Sequence, residues 1–181
     1  MKKPVIIEDY DPRWPERFEI LRARLFKALG PVAAAIEHVG STAIPGLAAK
    51  PIIDIDVLLC SEGDLQHTIE RLATLGYEHQ GNLGIPGREA FRAPTSEFPH
   101  HLYVCSADHR EYARHIIFRD HLRSHPEDAR AYELLKRSLA ERFGIDREAY
   151  TLAKTDFIQT ILRRAEPVAS EHFSRHVRTI P

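Results

Sequence analysis

Two aspartates stand two residues apart inside an apolar run, Asp54 and Asp56 in PIIDIDVLLC. On a strand alternate side chains share a face, so these carboxylates project together while Ile53, Ile55 and Val57 turn the other way. Neighbouring like charges repel unless a cation lies between them, and a hard oxygen pair suits Mg2+ (or Mn2+) carrying a phosphate. Upstream, Gly40-Ser41 closes the apolar segment from Ala33 to Val39. A Gly-Ser opening a helical turn offers backbone amides and a hydroxyl to phosphate oxygens. Lys50 supplies a cation that serves either the phosphates or the carboxylates.

Three phosphate chemistries compete for this stretch. A P-loop requires a lysine directly after its second glycine, whereas Lys50 lies well beyond Gly46 and precedes Pro51. A haloacid-dehalogenase-type phosphatase would place Asp54-Ile55-Asp56 at the carboxyl end of its strand. Here Val57-Leu58-Leu59 prolong the apolar run, and that reading leaves Gly40-Ser41 without a task. Nucleotidyl transfer uses both parts in this order: a Gly-Ser for the triphosphate, then an Asp-x-Asp for the metal that bridges phosphate oxygens.

The elements that must position these groups follow from local signals. Asp11-Pro12 reads as N-cap and first position of a helix carrying Trp14, Phe18, Leu21, Leu25 and Leu29, stopped by Gly30-Pro31. Ala33 to Val39 is a strand, Ser41 opens a short helical turn, and Pro51 to Cys60 is the carboxylate strand. Ser61 to Leu75 is a helix whose Ser61 and Asp64 resemble a capping box, ended by Gly76. Glycines 81, 84 and 87 mark a loop, after which Glu89 to Ala93 and His101 to Cys105 are short strands. From Asp108 the pattern is helical: one helix ends before Pro126, a second runs from Pro126 to Gly144, and a third, capped by Asp146, continues through Leu162. The result is an α+β chain forming one domain over 1–181, with a sheet-containing core over about 30–106, a helical part over about 108–165 and a tail over 166–181.

Composition agrees with this picture. The chain has 181 residues, 43% hydrophobic and 28% charged, with formal net charge −1, which suits a folded globular protein without a global basic field. No run approaches membrane-spanning length and no signal peptide is written, so a cytoplasmic location is expected. Cys60 and Cys105 lie too far apart for a zinc knuckle and are expected to be free buried thiols.

The run HVGSTAIPGLAAKPIIDIDV resembles the signature of the GrpB-like family, within the polymerase-beta-type nucleotidyltransferase superfamily. The likeness extends to Tyr10-Asp11-Pro12 with Trp14 and Phe18, Leu75-Gly76-Tyr77, His101-Leu102, Phe118-Arg119-Asp120, Tyr132 with Lys136, and Tyr150 with Lys154. It implies a nucleotidyltransferase-type mixed sheet flanked by helices, a nucleoside triphosphate as partner, Gly40 and Ser41 on the phosphates and Asp54 and Asp56 on the metal. Lys136 and Lys154 gain a nucleotide-facing role from it, and the acceptor is open among small molecule, protein and RNA.

The superfamily usually carries a third carboxylate on a neighbouring strand. The counterpart here, HHLYVC, offers His101 and Tyr103. His101 is therefore the candidate third ligand or base, with Glu89 and Glu97 as alternatives. Arg119 is a candidate for the triphosphate, His38 for the site or the core, His100 for the opposite face, and Arg88 and Arg92 for a polyanion or a solvated edge. Two other functions stay open: a non-catalytic nucleotide-binding or interaction module lacking the third acid, and a metal-dependent hydrolase built on a His/Asp cluster.

Overall fold

The carboxylate strand buries its apolar face completely and its aspartate face in part, and the elements around it do the covering. The computed structural model describes residues 4–95, 98–106 and 110–176, with side chains to 165. Its strands are β1 (Ala33–Val39), β2 (Ile53–Leu59), β3 (Glu78–His79), β4 (Arg88–Arg92) and β5 (His100–Cys105). Its helices are α1 (Trp14–Leu29), α2 (Leu65–Thr74), α3 (Arg110–Ser124), α4 (Pro126–Phe143), α5 (Arg147–Leu152) and α6 (Thr155–His176). The strands form one five-stranded sheet in the order β1-β2-β5-β4-β3. β2 runs antiparallel to β1 and parallel to β5, and the remaining pairs are antiparallel. Since a hairpin cannot join parallel neighbours, the chain crosses from β2 to β5 through α2 and the β3–β4 pair.

One face of β2 holds Ile53, Ile55, Val57 and Leu59 against Trp14, Phe18, Leu21, Leu25 and Leu29 of α1 and Leu72 of α2. Each such side chain contributes about 1.5–3 kcal/mol when fully buried. A slip of one residue would send all four to the wrong face, so this packing fixes the register that aims Asp54 and Asp56 the other way. On that second face the rows read Val39–Asp54–His101 and Glu37–Asp56–Tyr103 across β1, β2 and β5. A second cluster of Ile44, Leu47, Leu122 and Tyr132 ties the loop after β1 to α3 and α4. A third, Val5, Leu139 and Tyr150, seats the extended N-terminal arm on α4 and α5, with Val5 N–H donating to Gly144 O at 2.9 Å.

The mixed sheet and the helical C-terminal third agree with the sequence reading, and several boundaries differ for local reasons. α1 begins at Trp14 rather than Pro12, because Asp11 Oδ1 accepts from Arg13 N at 2.9 Å and Asp11 O from Trp14 N at 3.0 Å. The segment after Ser61 opens as a tight 3₁₀ turn, and the Ser61 hydroxyl accepts from Gly63 N at 3.3 Å, so no capping box forms with Asp64. The third C-terminal helix is two helices. Asp146 does cap α5, accepting from Ala149 N at 3.1 Å, but the chain bends at Ala153-Lys154 before α6. Cys60 is exposed rather than buried, while Cys105 is buried. Among the described residues no helix is long and apolar enough to cross a membrane.

Candidate active site

A cleft of about 380 Å³ opens over the polar face of β2, and its lining includes Gly40, Ser41, Lys50, Asp54, His101 and Tyr103. Lys136 of α4, Tyr150 of α5 and Lys154 at the bend before α6 close it from the C-terminal part, and Arg88 and His115 from β4 and α3. Asp56 is fully buried beneath this face. The structure therefore brings every one of the sequence-derived candidates Gly40, Ser41, Lys50, Asp54, His101, Lys136 and Lys154 to one concavity, with Asp56 adjoining on its strand.

The two carboxylates are each half-satisfied. Asp54 Oδ1 takes a hydrogen bond from His101 Nδ1 at 2.8 Å, and Asp56 Oδ2 takes one from His115 Nδ1 at 2.6 Å. Asp56 Oδ1 is buried with no hydrogen-bond partner. A carboxylate oxygen left without a donor in the interior costs several kcal/mol, so this one calls for a partner from outside the protein, a water or a cation. Gly40 packs against the other carboxylate: with φ 69° and ψ −168°, a Cβ built there would lie 2.3 Å from Asp54 Oδ2. Only glycine allows the backbone this close to Asp54. The 3₁₀ turn Ser41–Ala43 starts at that point.

The imidazoles respond to these partners. The Asp54 hydrogen bond raises the His101 pKa, against a smaller opposing effect of burial. Burial pushes His115 down, but the hydrogen bond and charge of Asp56 outweigh it and the net shift is upward. With Nδ1 committed to Asp54, His101 orients that carboxylate and keeps Nε2 for other work. His115 was legible in the sequence only as part of a helical stripe, since nothing marks a helix residue 59 positions away as the partner of Asp56.

The lysines form a layered group. Lys50 Nζ lies 4.2 Å and Lys154 Nζ 4.6 Å from the centroid of the Tyr150 ring, a quadrupole that attracts ammonium groups. Lys136 is almost fully buried and donates to Ala48 O. Burial, with Lys154 nearby, brings its pKa down to about 7. Burial likewise brings Lys154 down to about 8, with Lys50 adding to the effect and Asp54 opposing it, and burial lowers Lys50.

Other candidates have structural duties. Arg119 is buried and bridges Glu37 Oε2 at 2.7 Å, Asp120 Oδ1 at 2.7 Å and His38 O at 3.0 Å, so it clamps α3 to β1 instead of lining the cleft. His38 shares a hydrogen bond of 2.9 Å with Thr42 and stacks on Phe18 at 4.7 Å; burial drives its pKa down to about 4. His100 faces away from the carboxylates and contacts Tyr77 Oη at 2.7 Å. Glu89 pairs with His79 at 2.7 Å, outside the cleft, Arg92 pairs with Glu78, and Glu97 lies outside the described residues. Glu37 is level with Asp56 in the sheet but is committed to Arg119. Among the described residues no three His, Cys, Asp or Glu side chains converge to hold a metal.

The family model described as "GrpB protein" matches residues 4–164. The chain is 40% identical over 162 residues to a UPF0157 protein of Pseudomonas aeruginosa, covering 86% of this chain and 65% of that one. It is 35% identical over 165 residues to the UPF0157 protein YqkA of Bacillus subtilis, covering 91% and 48%. The chain thus spans about half to two-thirds of these relatives' length. The crystal structure of the conserved protein GrpB from Enterococcus faecalis superposes with a TM-score of 0.79 at 35% identity, covering 88% of this chain and 96% of that one. The Cid1 poly(U) polymerase in its MgGTP-bound form superposes with a TM-score of 0.51 at 18% identity, covering 75% and 45%. That likeness shows the fold, which is nucleotidyltransferase-like.

Proposed function

The chain belongs to the GrpB family, and from that premise and the geometry of its cleft we propose a magnesium-dependent nucleotidyltransferase that moves a nucleotidyl group from a nucleoside triphosphate to an acceptor. One observation carries the proposal. Asp54 and Asp56 share a face beside a glycine that can bear no side chain, and the buried Asp56 Oδ1 lacks a donor. Those residues fit a divalent cation: Asp54 Oδ2 and Asp56 Oδ1, the oxygens that the two imidazoles leave free, would hold Mg2+ (or Mn2+). Two carboxylates with phosphate oxygens and water completing the shell is a usual magnesium environment. When bound, the metal supplies charge neutralisation on the phosphates.

The chain's own groups do the rest. Gly40 and Ser41 present amides and a hydroxyl to the triphosphate, and Lys50, Lys136 and Lys154 offset its charge and that of the departing pyrophosphate. The acceptor oxygen forms a bond to the α-phosphorus as the α-phosphorus–oxygen bond to the β-phosphate breaks. The acceptor's proton passes to His101 Nε2, which Asp54 orients through Nδ1. Calorimetric titration of ATP, GTP, CTP and UTP with magnesium tests this reading. Binding of at least one triphosphate in the wild type, lost in Asp54→Asn with Asp56→Asn, is expected; no binding at all, or binding unchanged in that pair, overturns it.

A second reading rests on β5, where His101 and Tyr103, not an acid, stand level with Asp54 and Asp56. A module that binds a triphosphate without transferring it would have this composition. Pyrophosphate release in the presence of hydroxyl acceptors separates the two: binding without release supports the module. The alternative of a hydrolase built on a His/Asp cluster predicts a preference for a transition metal over magnesium in the same titrations.

A further inference from the structure

Resting on the nucleotidyl-transfer reading, we propose that Arg88 is the anion-binding group of the acceptor subsite, and that the acceptor is a small molecule bearing an oxyanion, phosphate or carboxylate, near its nucleophile. Arg88 sits on β4, level with Cys105 of β5, and lines the same cleft as Asp54 and His101. Its guanidinium lies over the Tyr103 ring, with Cζ 4.3 Å from the centroid. Tyr103 in turn is level with Asp56. Lys50 and Lys154 gather at Tyr150, whereas Arg88 stands against Tyr103, across β5 from the carboxylate strand.

What distinguishes Arg88 from a structural arginine is its unmet hydrogen-bonding capacity. Nε is buried with no hydrogen-bond partner, and Arg88 makes no ion pair with a carboxylate among the described residues. Arg119 of α3 shows the structural alternative, with carboxylates on both Nε and Nη1. A buried guanidinium donor costs free energy until an acceptor reaches it, and a planar fork stacked on an aromatic ring matches a phosphate or carboxylate geometrically. The triphosphate already has the lysines and Gly40-Ser41. An anion site at Tyr103, apart from Tyr150 and its lysines, is thus left for the second substrate. The formal net charge of −1 and the confinement of these cations to one cleft favour a small anion over a nucleic-acid strand, which is held by an extended basic track.

The experiment follows the Arg88 Nε–H resonance by NMR, identified by its loss in Arg88→Lys. Glycerol 3-phosphate, lactate, glycerol and a short RNA are titrated with and without magnesium and a non-hydrolysable triphosphate. A saturable shift with glycerol 3-phosphate or lactate and none with glycerol is expected, and which anion acts identifies phosphate or carboxylate. Arg88→Gln should weaken that anion at least about tenfold while magnesium-triphosphate affinity stays within about twofold and the melting profile is kept. No shift with either anion, equal anion affinity in Arg88→Gln, or a response only to a short RNA overturns the proposal. If no triphosphate binds while the anion still shifts Arg88, the transfer reading falls and the anion site stands.

Discussion

Replacing Gly40 by alanine probes the site at the point where backbone and carboxylate meet. Two costs arise, and the structure separates them. Gly40 has φ 69° and ψ −168°, a region nearly closed to residues with a Cβ, where occupancy costs on the order of 1–3 kcal/mol. The added Cβ would also lie 2.3 Å from Asp54 Oδ2, far inside the 3.4 Å at which ordinary contact begins. Asp54 must then swing by roughly 1 Å, and a misplacement of that size costs on the order of 10²-fold in a catalytic site. The movement also strains the 2.8 Å hydrogen bond to His101. Gly46 is the control, with φ 78° and nothing within 4 Å of its would-be Cβ. Gly46→Ala bears only the conformational cost, roughly 2–12 °C in melting midpoint at about 2–4 °C per kcal/mol for a chain of this size. Gly40→Ala should melt lower still and lose magnesium-dependent triphosphate affinity, transfer, or both by about 10²-fold. Melting curves with and without magnesium and triphosphate, followed by calorimetry, give the answer. If Gly40→Ala melts no lower than Gly46→Ala and binds the triphosphate as the wild type does, the apposition of Gly40 and Asp54 has no functional weight.

Triphosphate binding should take up protons, because phosphates favour the ammonium forms of Lys136 and Lys154, whose pKa values burial has brought down to about 7 and about 8. Near pH 8 the apparent binding enthalpy should vary with buffer ionisation enthalpy, affinity should fall as pH rises through this range, and Lys136→Met should reduce the uptake; net proton release would contradict it. His38 gives a stability test with the opposite pH sense. Its pKa falls from 6.5 to about 4 on burial, so the unfolded chain binds its proton first, and stability is full above pH 6.5 and declines toward pH 4 by on the order of 3 kcal/mol. His38→Gln should flatten that acid limb in melting experiments, and an unchanged limb would exclude a neutral buried imidazole.

The parts legible in the sequence were those written in local periodicity. The alternation IDIDV placed Asp54 and Asp56 on one face because Ile53, Ile55 and Val57 alternate with them, and these pack on α1 as a group. The helix starts at Pro126 and after Asp146 were equally local. The bend at Ala153-Lys154 was hidden because the apolar stripe runs on through it. His115 was hidden for a different reason: its role comes from α3 crossing the polar face of the sheet, a tertiary event with no local mark. Arg119 shows the converse error, since a cation beside a phosphate site and one clamping Glu37 to α3 have the same sequence. Arg88 looked like a strand-edge charge until its ring contact and unpartnered Nε were seen together.

The missing third carboxylate changes the electrostatics of the site as well as its ligand count. Two acids, one fully buried, face Lys50, Lys136, Lys154 and Arg88 around one cleft, so cations outnumber carboxylates there although the chain as a whole is slightly acidic. Low-dielectric walls concentrate such a field within the cleft, while at ordinary ionic strength it is screened over about 8–10 Å outside. An extended polyanion would gain little from charge it cannot reach, whereas a compact phosphate ester that enters meets all of it. An acid in place of His101 or Tyr103 would cancel part of that field. The imidazoles behind Asp54 and Asp56 orient the carboxylates without adding negative charge. On the proposed reading, imidazole and phenol rather than an acid on β5 suit a site that would hold two anionic substrates at once, the triphosphate over Gly40-Ser41 and the acceptor at Arg88.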